Sequence, residues 1–264
     1  MKKRLAILGK GWLGSAFYER WKSEGGSIHY STRNKVCDHH HSFYVNLSEE
    51  GFECSDPEFF KVDVLVIAFP PFRSVNADLF PSVIQQFCRF LNEISFQGKI
   101  IYISSTSVYP SKEEEFTESY SFLPEEDSPL LQSEKWLMEF FPGKVTVLRC
   151  GGLIGEGRDP GRFLAGKKNV AGKNASVNLV HRDDVVEVIK QVIEQDYFGE
   201  VLNVVSEPFP SREIFYTNAA LRLHLEPPQF SDEELPDRKI SNRKLRQRLN
   251  FEFKYPHPEL IQSF

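Results

Sequence analysis

The segment that most limits what this chain can fold into is Arg4-Leu5-Ala6-Ile7-Leu8-Gly9-Lys10-Gly11-Trp12-Leu13-Gly14. An apolar run of strand length enters three glycines spaced G-x-G-x-x-G, and a helical pattern begins at once. Each glycine has a physical role in a strand–turn–helix that receives a dinucleotide. Gly9 allows the sharp turn, Gly11 lets backbone approach a pyrophosphate, and Gly14 lets the helix pack on its strand. Gly9, Gly11, Trp12, Leu13 and Gly14 are therefore expected to bind a cofactor.

The rest of the chain agrees with this start. Apolar runs at Leu5–Leu8, Ile28–Ser31, Phe43–Asn46, Val62–Ala68, Ile100–Ser104, Val145–Arg149 and Val201–Val205 read as strands. Amphipathic segments at Trp12–Ser23, Asn76–Ile94, Leu130–Phe140 and Asp184–Glu194 read as helices. Nearly continuous apolar strands separated by helices predict a parallel sheet covered on both faces, with right-handed crossovers. The expected fold is α/β, a Rossmann-type doubly wound parallel sheet with a smaller C-terminal substrate lobe. Residues 1–150, completed by 179–205, form the dinucleotide-binding core in this reading. Residues 151–178 and 206–264, rich in Gly, Pro and polar residues, form the substrate-side lobe.

The 264 residues are 41% hydrophobic with a net charge of −5 and no long basic stripe, which argues against nucleic acid as a partner. No stretch has the length of a membrane span. Lys2-Lys3-Arg4 ahead of an apolar run resembles a signal peptide, but Lys10 interrupts the run. The four cysteines have neither paired nor metal-like spacing and read as free thiols of a cytoplasmic protein. Cys37-Asp38-His39-His40-His41 holds metal-capable groups, but adjacent residues rarely converge on one ion, so a solvated loop and no metal site is expected.

Ligands of such a sheet bind at the carboxyl ends of its strands. After the second strand, NAD-binding chains usually carry an acid for the ribose hydroxyls. Here the sequence is Tyr30-Ser31-Thr32-Arg33-Asn34-Lys35. Thr32 and Arg33 suit a 2′-phosphate, so NADP(H) is expected over NAD(H). Ala68, Phe69 and Pro70 follow the fourth strand and are expected along the cofactor; a stiff connector accounts for them equally well. After the fifth come Ser104-Ser105-Thr106-Ser107-Val108-Tyr109, whose hydroxyls could face a substrate carbonyl or simply form a turn.

That last stretch resembles the fifth-strand motif of extended short-chain dehydrogenases/reductases, the NAD-dependent epimerase/dehydratase family. Further similarities follow in order: Val147-Leu148-Arg149-Cys150-Gly151-Gly152-Leu153-Ile154-Gly155-Glu156-Gly157-Arg158, then Asn178-Leu179-Val180-His181-Arg182-Asp183-Asp184-Val185, then Val201-Leu202-Asn203-Val204. Ser241-Asn242-Arg243-Lys244-Leu245 is similar to a bacterial atypical branch. The resemblance implies a catalytic, substrate-orienting role for Ser105 and a cofactor-side place for Ser104. It also implies substrate contacts at Arg158 and His181, with a structural role for His181 and Asp184 as the competing reading. Small-molecule substrates and a homodimer, paired through the helices after strands four and five, are implied as well.

Two departures bear on activity. Family members carry Tyr-x-x-x-Lys on the helix after strand five. In Leu130-Leu131-Gln132-Ser133-Glu134-Lys135, Leu130 and Glu134 align with that pair. A leucine transfers no proton, and a glutamate opposes the phenolate that a lysine would stabilise. Tyr109 is the candidate replacement acid and Tyr120 a second; the Tyr109 ring could equally pack beneath the loop. Two functions follow: an NADP(H)-dependent oxidoreductase or epimerase-like enzyme acting on a small carbonyl or sugar-like substrate, or a non-catalytic NADP(H)-binding sensor. The acidic segments Glu113–Glu115 and Glu125–Asp127 read as an exposed, mobile connection.

Overall fold

A computed structural model describes residues 3–35, 41–70 and 77–261. The strand β1 (Leu5–Leu8) has all four residues buried, and α1 (Trp12–Ser23) follows. β2 (Ile28–Thr32), β3 (Ser42–Ser48) and β4 (Gly51–Cys54) come next, then β5 (Val64–Ile67) and α2 (Phe80–Glu93). β6 (Lys99–Ser105), β7 (Glu114–Phe116), α3 (Pro129–Phe140) and β8 (Val145–Cys150) continue the chain. The remainder comprises β9 (Gly152–Ile154), β10 (Leu179–His181), α4 (Arg182–Glu194), β11 (Val201–Val204), α5 (Arg212–Arg222), β12 (Arg238–Ile240) and α6 (Arg243–Leu249).

Eight strands form one sheet in the order β11-β8-β6-β5-β1-β2-β3-β4. β1 pairs in parallel with β2 on one side and β5 on the other, so the winding reverses between β1 and β5. The doubly wound α/β architecture is therefore present. Its edge departs from the expected all-parallel pattern, because β4 returns antiparallel to β3, with Ser48 opposite Gly51. The expected strand Phe43–Asn46 is the first arm of that hairpin; the second arm, Gly51–Cys54, has Phe52 and Cys54 as its apolar residues.

The chain divides into two compact units. The first comprises residues 1–104, 123–148 and 189–201; the second comprises 105–122, 149–188 and 202–264. The second unit takes in the segment after β6, which the sequence places with the core. It also contains two small parallel ladders, β9–β10 and β7–β12. The acidic residues Glu113–Glu115 are exposed, as expected, and Glu114 and Glu115 pair in parallel with Arg238 and Lys239 of β12.

Burial in the first unit explains its helices. On α2, Val83, Ile84, Phe87, Cys88 and Leu91 are buried, which fills one face at helical spacing. Phe52, Phe60, Phe87 and Phe90 make an aromatic cluster with ring centroids 4.7–6.5 Å apart.

Candidate functional site

The glycine turn sits where the winding reverses. Gly9 has φ +101°, and a Cβ there would meet the Phe69 amide nitrogen at 2.9 Å. The backbones of the two loops after β1 and β5 thus approach more closely than any side chain at residue 9 permits. Gly14 lets α1 pack against the turn, since a Cβ at this position would stand 2.3 Å from the Gly9 carbonyl oxygen. At Gly11 a Cβ would meet nothing within 4 Å, so this backbone faces open space. Gly11 is the N-cap of α1, with no side-chain cap and no acidic residue in the first turn. A helix start of this kind presents N–H groups and a positive dipole end to an anion.

Gly9 and Gly11 line a cleft of about 1040 Å³ together with Leu8, Lys10, Tyr30, Ser31, Thr32 and Arg33. Ala68, Phe69, Pro70 and residues 45–50 of the β3–β4 hairpin complete it. The structure therefore brings together Gly9, Gly11, Thr32, Arg33, Ala68, Phe69 and Pro70. Trp12 stands in the first turn of α1, while Leu13 and Gly14 are buried and serve helix packing. Residues 71–76 and 36–40 lie outside the described residues, and with them most of the proposed metal-capable loop.

Sequence reasoning missed three parts of the cleft. Ser31 stands at the end of β2, and its hydroxyl accepts a hydrogen bond from the Gly9 N–H at 2.9 Å. The Lys10 ammonium lies over the rings of Tyr18 and Tyr30, 3.8 and 3.9 Å from their centroids. The hairpin turn adds Glu49 and Glu50 to the rim. The charge of Lys10 was legible; the tyrosines that would seat it come from α1 and β2, and no local pattern joins them.

Ser104 is placed differently from its expected role. It is 6% exposed, and its hydroxyl donates to Glu134 Oε1 at 2.5 Å. Glu134, itself buried, thereby ties α3 to β6 within the first unit. The Glu134 carboxylate is a strand-to-helix anchor, and Leu130, four residues before it on α3, is buried.

Ser105 and Tyr109 belong to the second unit. The Ser105 hydroxyl accepts from the Ser107 N–H at 3.1 Å and caps the short turn Thr106–Val108. Tyr109 is 2% exposed. Its hydroxyl donates to Asn203 Oδ1 at 2.8 Å, lies 3.2 Å from the Thr117 carbonyl oxygen, and accepts from Arg149 Nη1 at 2.9 Å. Its ring stacks on Phe122 and contacts Phe116 and Tyr120. Burial pushes its phenol pKa up, partly offset by Arg149. Of the two readings of Tyr109, packing beneath the loop is the one its surroundings match. Tyr120 lies in the same aromatic cluster.

His181 is 5% exposed, packs on the Tyr255 ring at 3.8 Å and accepts from the Asp183 N–H. Burial draws its pKa down. Asp184 accepts from the Lys254 and Tyr255 N–H groups at 2.7 and 3.1 Å, and burial pushes its pKa up to about 6. Both residues contact the C-terminal segment at Lys254 and Tyr255. Arg158 follows a tight turn in which its N–H donates to the Gly155 carbonyl. Among the described residues no group of His, Cys, Asp and Glu could hold a metal ion, and no helix is long and apolar enough to cross a membrane.

No family model matches the chain. Protein YeeZ of Escherichia coli K12 is 32% identical over 274 aligned positions, spanning 97% of each chain. Among solved structures, MoeE5 in complex with UDP-glucose and NAD superposes with a TM-score of 0.74 at 16% identity, over 97% of this chain and 95% of that one. UDP-glucuronic acid 4-epimerase from Bacillus cereus in complex with NAD gives 0.73 at 16% identity, over 98% and 96%.

Proposed function

Because the chain belongs to the NAD-dependent epimerase/dehydratase family of short-chain dehydrogenases/reductases, we propose that it binds NADP(H) in the cleft of the first unit. We assign it to oxidoreductase or epimerase-like chemistry on a small carbonyl or sugar-like substrate. The observation that carries the cofactor preference is the end of β2. The residue there is Ser31, turned inward to Gly9, followed by Thr32 and Arg33, which line the cleft. Among residues 31–35 a ribose 2′-hydroxyl finds no carboxylate, whereas a 2′-phosphate finds a hydroxyl and a guanidinium.

The fit of the group rests on the turn itself. The open space beside Gly11 and the uncapped start of α1 suit a pyrophosphate. Thr32 and Arg33 would take the 2′-phosphate, and Ala68, Phe69 and Pro70 would lie beside the ribose. A bound nicotinamide supplies hydride transfer. Ser105 is the proposed hydroxyl for orienting a substrate carbonyl, with Arg158 and His181 on the substrate side. Sugar nucleotides, which the MoeE5 and Bacillus cereus structures hold or act on by name, are the substrate class to test first.

The experiment mixes the protein with NADPH and a panel of aldehydes, ketones and nucleotide-sugars, and follows absorbance of the reduced nicotinamide. Substrate-dependent oxidation lost in Ser105→Ala supports the enzyme. A second reading, an NADP(H) sensor without turnover, is favoured by one observation: the Tyr109 hydroxyl is already committed to Asn203 and Arg149. Tight NADPH binding with no oxidation across the panel selects that reading.

A further inference from the structure

We propose that the second unit carries a binding site for a phosphorylated sugar, in a cavity lined by α6, the β7–β12 ladder and the loop after β11. The proposal is independent of the cofactor reading, because no residue of this cavity lines the cleft of the first unit. The cavity measures about 660 Å³, within the range of small-molecule sites, roughly 300–1,000 Å³. Its floor is fixed by the fold: Ser241, Asn242 and Phe251 are 5%, 1% and 2% exposed. The Asn242 backbone N–H donates to Glu207 Oε1 at 3.0 Å, and its Nδ2 donates to the Val205 carbonyl at 2.8 Å. These bonds hold the start of α6 against the loop after β11.

The phosphate follows from charge. Residues 238–248 hold six cations and no acid, in a chain whose net charge is −5. Arg243 and Arg246 stand three residues apart on α6, so they are neighbours on one face, and both line the cavity. Both are exposed, and neither guanidinium enters a hydrogen bond or ion pair among the described residues. Neighbouring like charges repel; a phosphate between them removes that cost and accepts bidentate hydrogen bonds. Lys239, 3.2 Å from Asp237, adds a third cation from β12. The sugar follows from the acceptors. Asn242 Oδ1 is buried with no hydrogen-bond partner among the described residues. A buried acceptor left unmatched is costly, and a ligand hydroxyl can relieve it. Glu115, Glu207 and Glu252 line the same cavity and also accept. An oxyanion such as sulfate has no proton to donate to these groups, and the carboxylates repel it. A sugar phosphate offers an anion to the arginines and hydroxyls to the acceptors, which matches both sets at once.

The test is calorimetric titration of the full chain with glucose 6-phosphate, glucose and sulfate, in wild type, Arg246→Gln, the double variant Arg243→Gln/Arg246→Gln, and Arg248→Gln. The wild type should bind glucose 6-phosphate at least about tenfold more tightly than either glucose or sulfate. Loss of one charge-assisted contact predicts about 10- to 100-fold weaker binding by Arg246→Gln, and the double variant should show none. Arg248 lies on α6 but does not line the cavity, so Arg248→Gln should change the affinity by less than about twofold. All three arginines are exposed, and urea midpoints equal to wild type show that the variants fold. No saturable binding of glucose 6-phosphate up to about 10 mM would overturn the proposal. Sulfate binding as tightly as glucose 6-phosphate would overturn it by reducing the cavity to an anion patch. Binding that survives the double variant, or falls as far in Arg248→Gln as in Arg246→Gln, would overturn it by placing the ligand elsewhere or by tracing the effect to overall charge.

Discussion

The glycine turn in the first unit and the hydroxyl-rich segment after β6 are equally suggestive as sequence, yet their polar groups are used in opposite ways. In the turn, Gly11 backs onto open space and the start of α1 has no side-chain cap. Lys10 and Arg33 line the same cleft, with Glu49 and Glu50 on its rim. After β6 the hydroxyls are consumed: Ser104 by Glu134, Ser105 by the Ser107 N–H, and Tyr109 by Asn203 and Arg149. Burying a polar group without a partner is costly, so satisfied groups report folding and unsatisfied surfaces report ligands. The first region presents backbone donors to open space; the second commits its hydroxyls to the fold.

The largest expected effect attacks the hydroxyl-rich segment. Tyr109→Ala removes a buried ring and the hydroxyl that bonds Asn203 and Arg149, which should cost about 3–5 kcal/mol in urea unfolding. Tyr109→Phe should cost about 1–3 kcal/mol. A Tyr109→Phe protein of unchanged stability that loses turnover would break the comparison by making this phenol catalytic.

Asp184 gives a pH test of the same unit. Its folded pKa is raised from 3.8 to about 6, so the folded state holds the proton more tightly than the unfolded chain. Its contribution therefore falls as pH rises from about 4 to about 6, by no more than roughly 3 kcal/mol, and is level outside that window. Asp184→Asn should remove this part of the pH slope in denaturant melts taken across pH 3.5–7.

Gly14→Ala sharpens the other side of the comparison, the glycine turn. The added methyl collides with the Gly9 carbonyl, at an expected cost of about 1–3 kcal/mol, and displaces the turn, so dinucleotide binding should weaken with it. Ser105→Ala has the smallest structural effect, about 0.5–2 kcal/mol for the loss of one cap. Any fall in turnover beyond that, with cofactor affinity unchanged, would assign its hydroxyl to substrate.

The sheet was readable because its determinants are local. Leu5–Leu8 and Trp12–Ser23 have the bounds that their periodicity predicts, and G-x-G-x-x-G encodes its turn within six residues. The second unit was less readable, because its order comes from distant pairs. Glu114–Phe116 becomes a strand only beside Arg238–Ile240. The loop 166–176 is held by 226–237, through Lys173–Asp232 and Ser176–Asp237 among others. Within the site, Arg33 announced itself by type, whereas the role of Ser31 needed the position of Gly9, and the placement of Lys10 needed two tyrosines from separate elements.

The most direct measurement is a pair of equilibrium titrations of the wild-type protein with NADPH and NADH under the same salt and pH. A cleft with Ser31, Thr32 and Arg33 at the end of β2 predicts NADPH binding at least about tenfold tighter, the worth of one charge-assisted phosphate contact. Equal affinities, or tighter binding of NADH, would contradict the account.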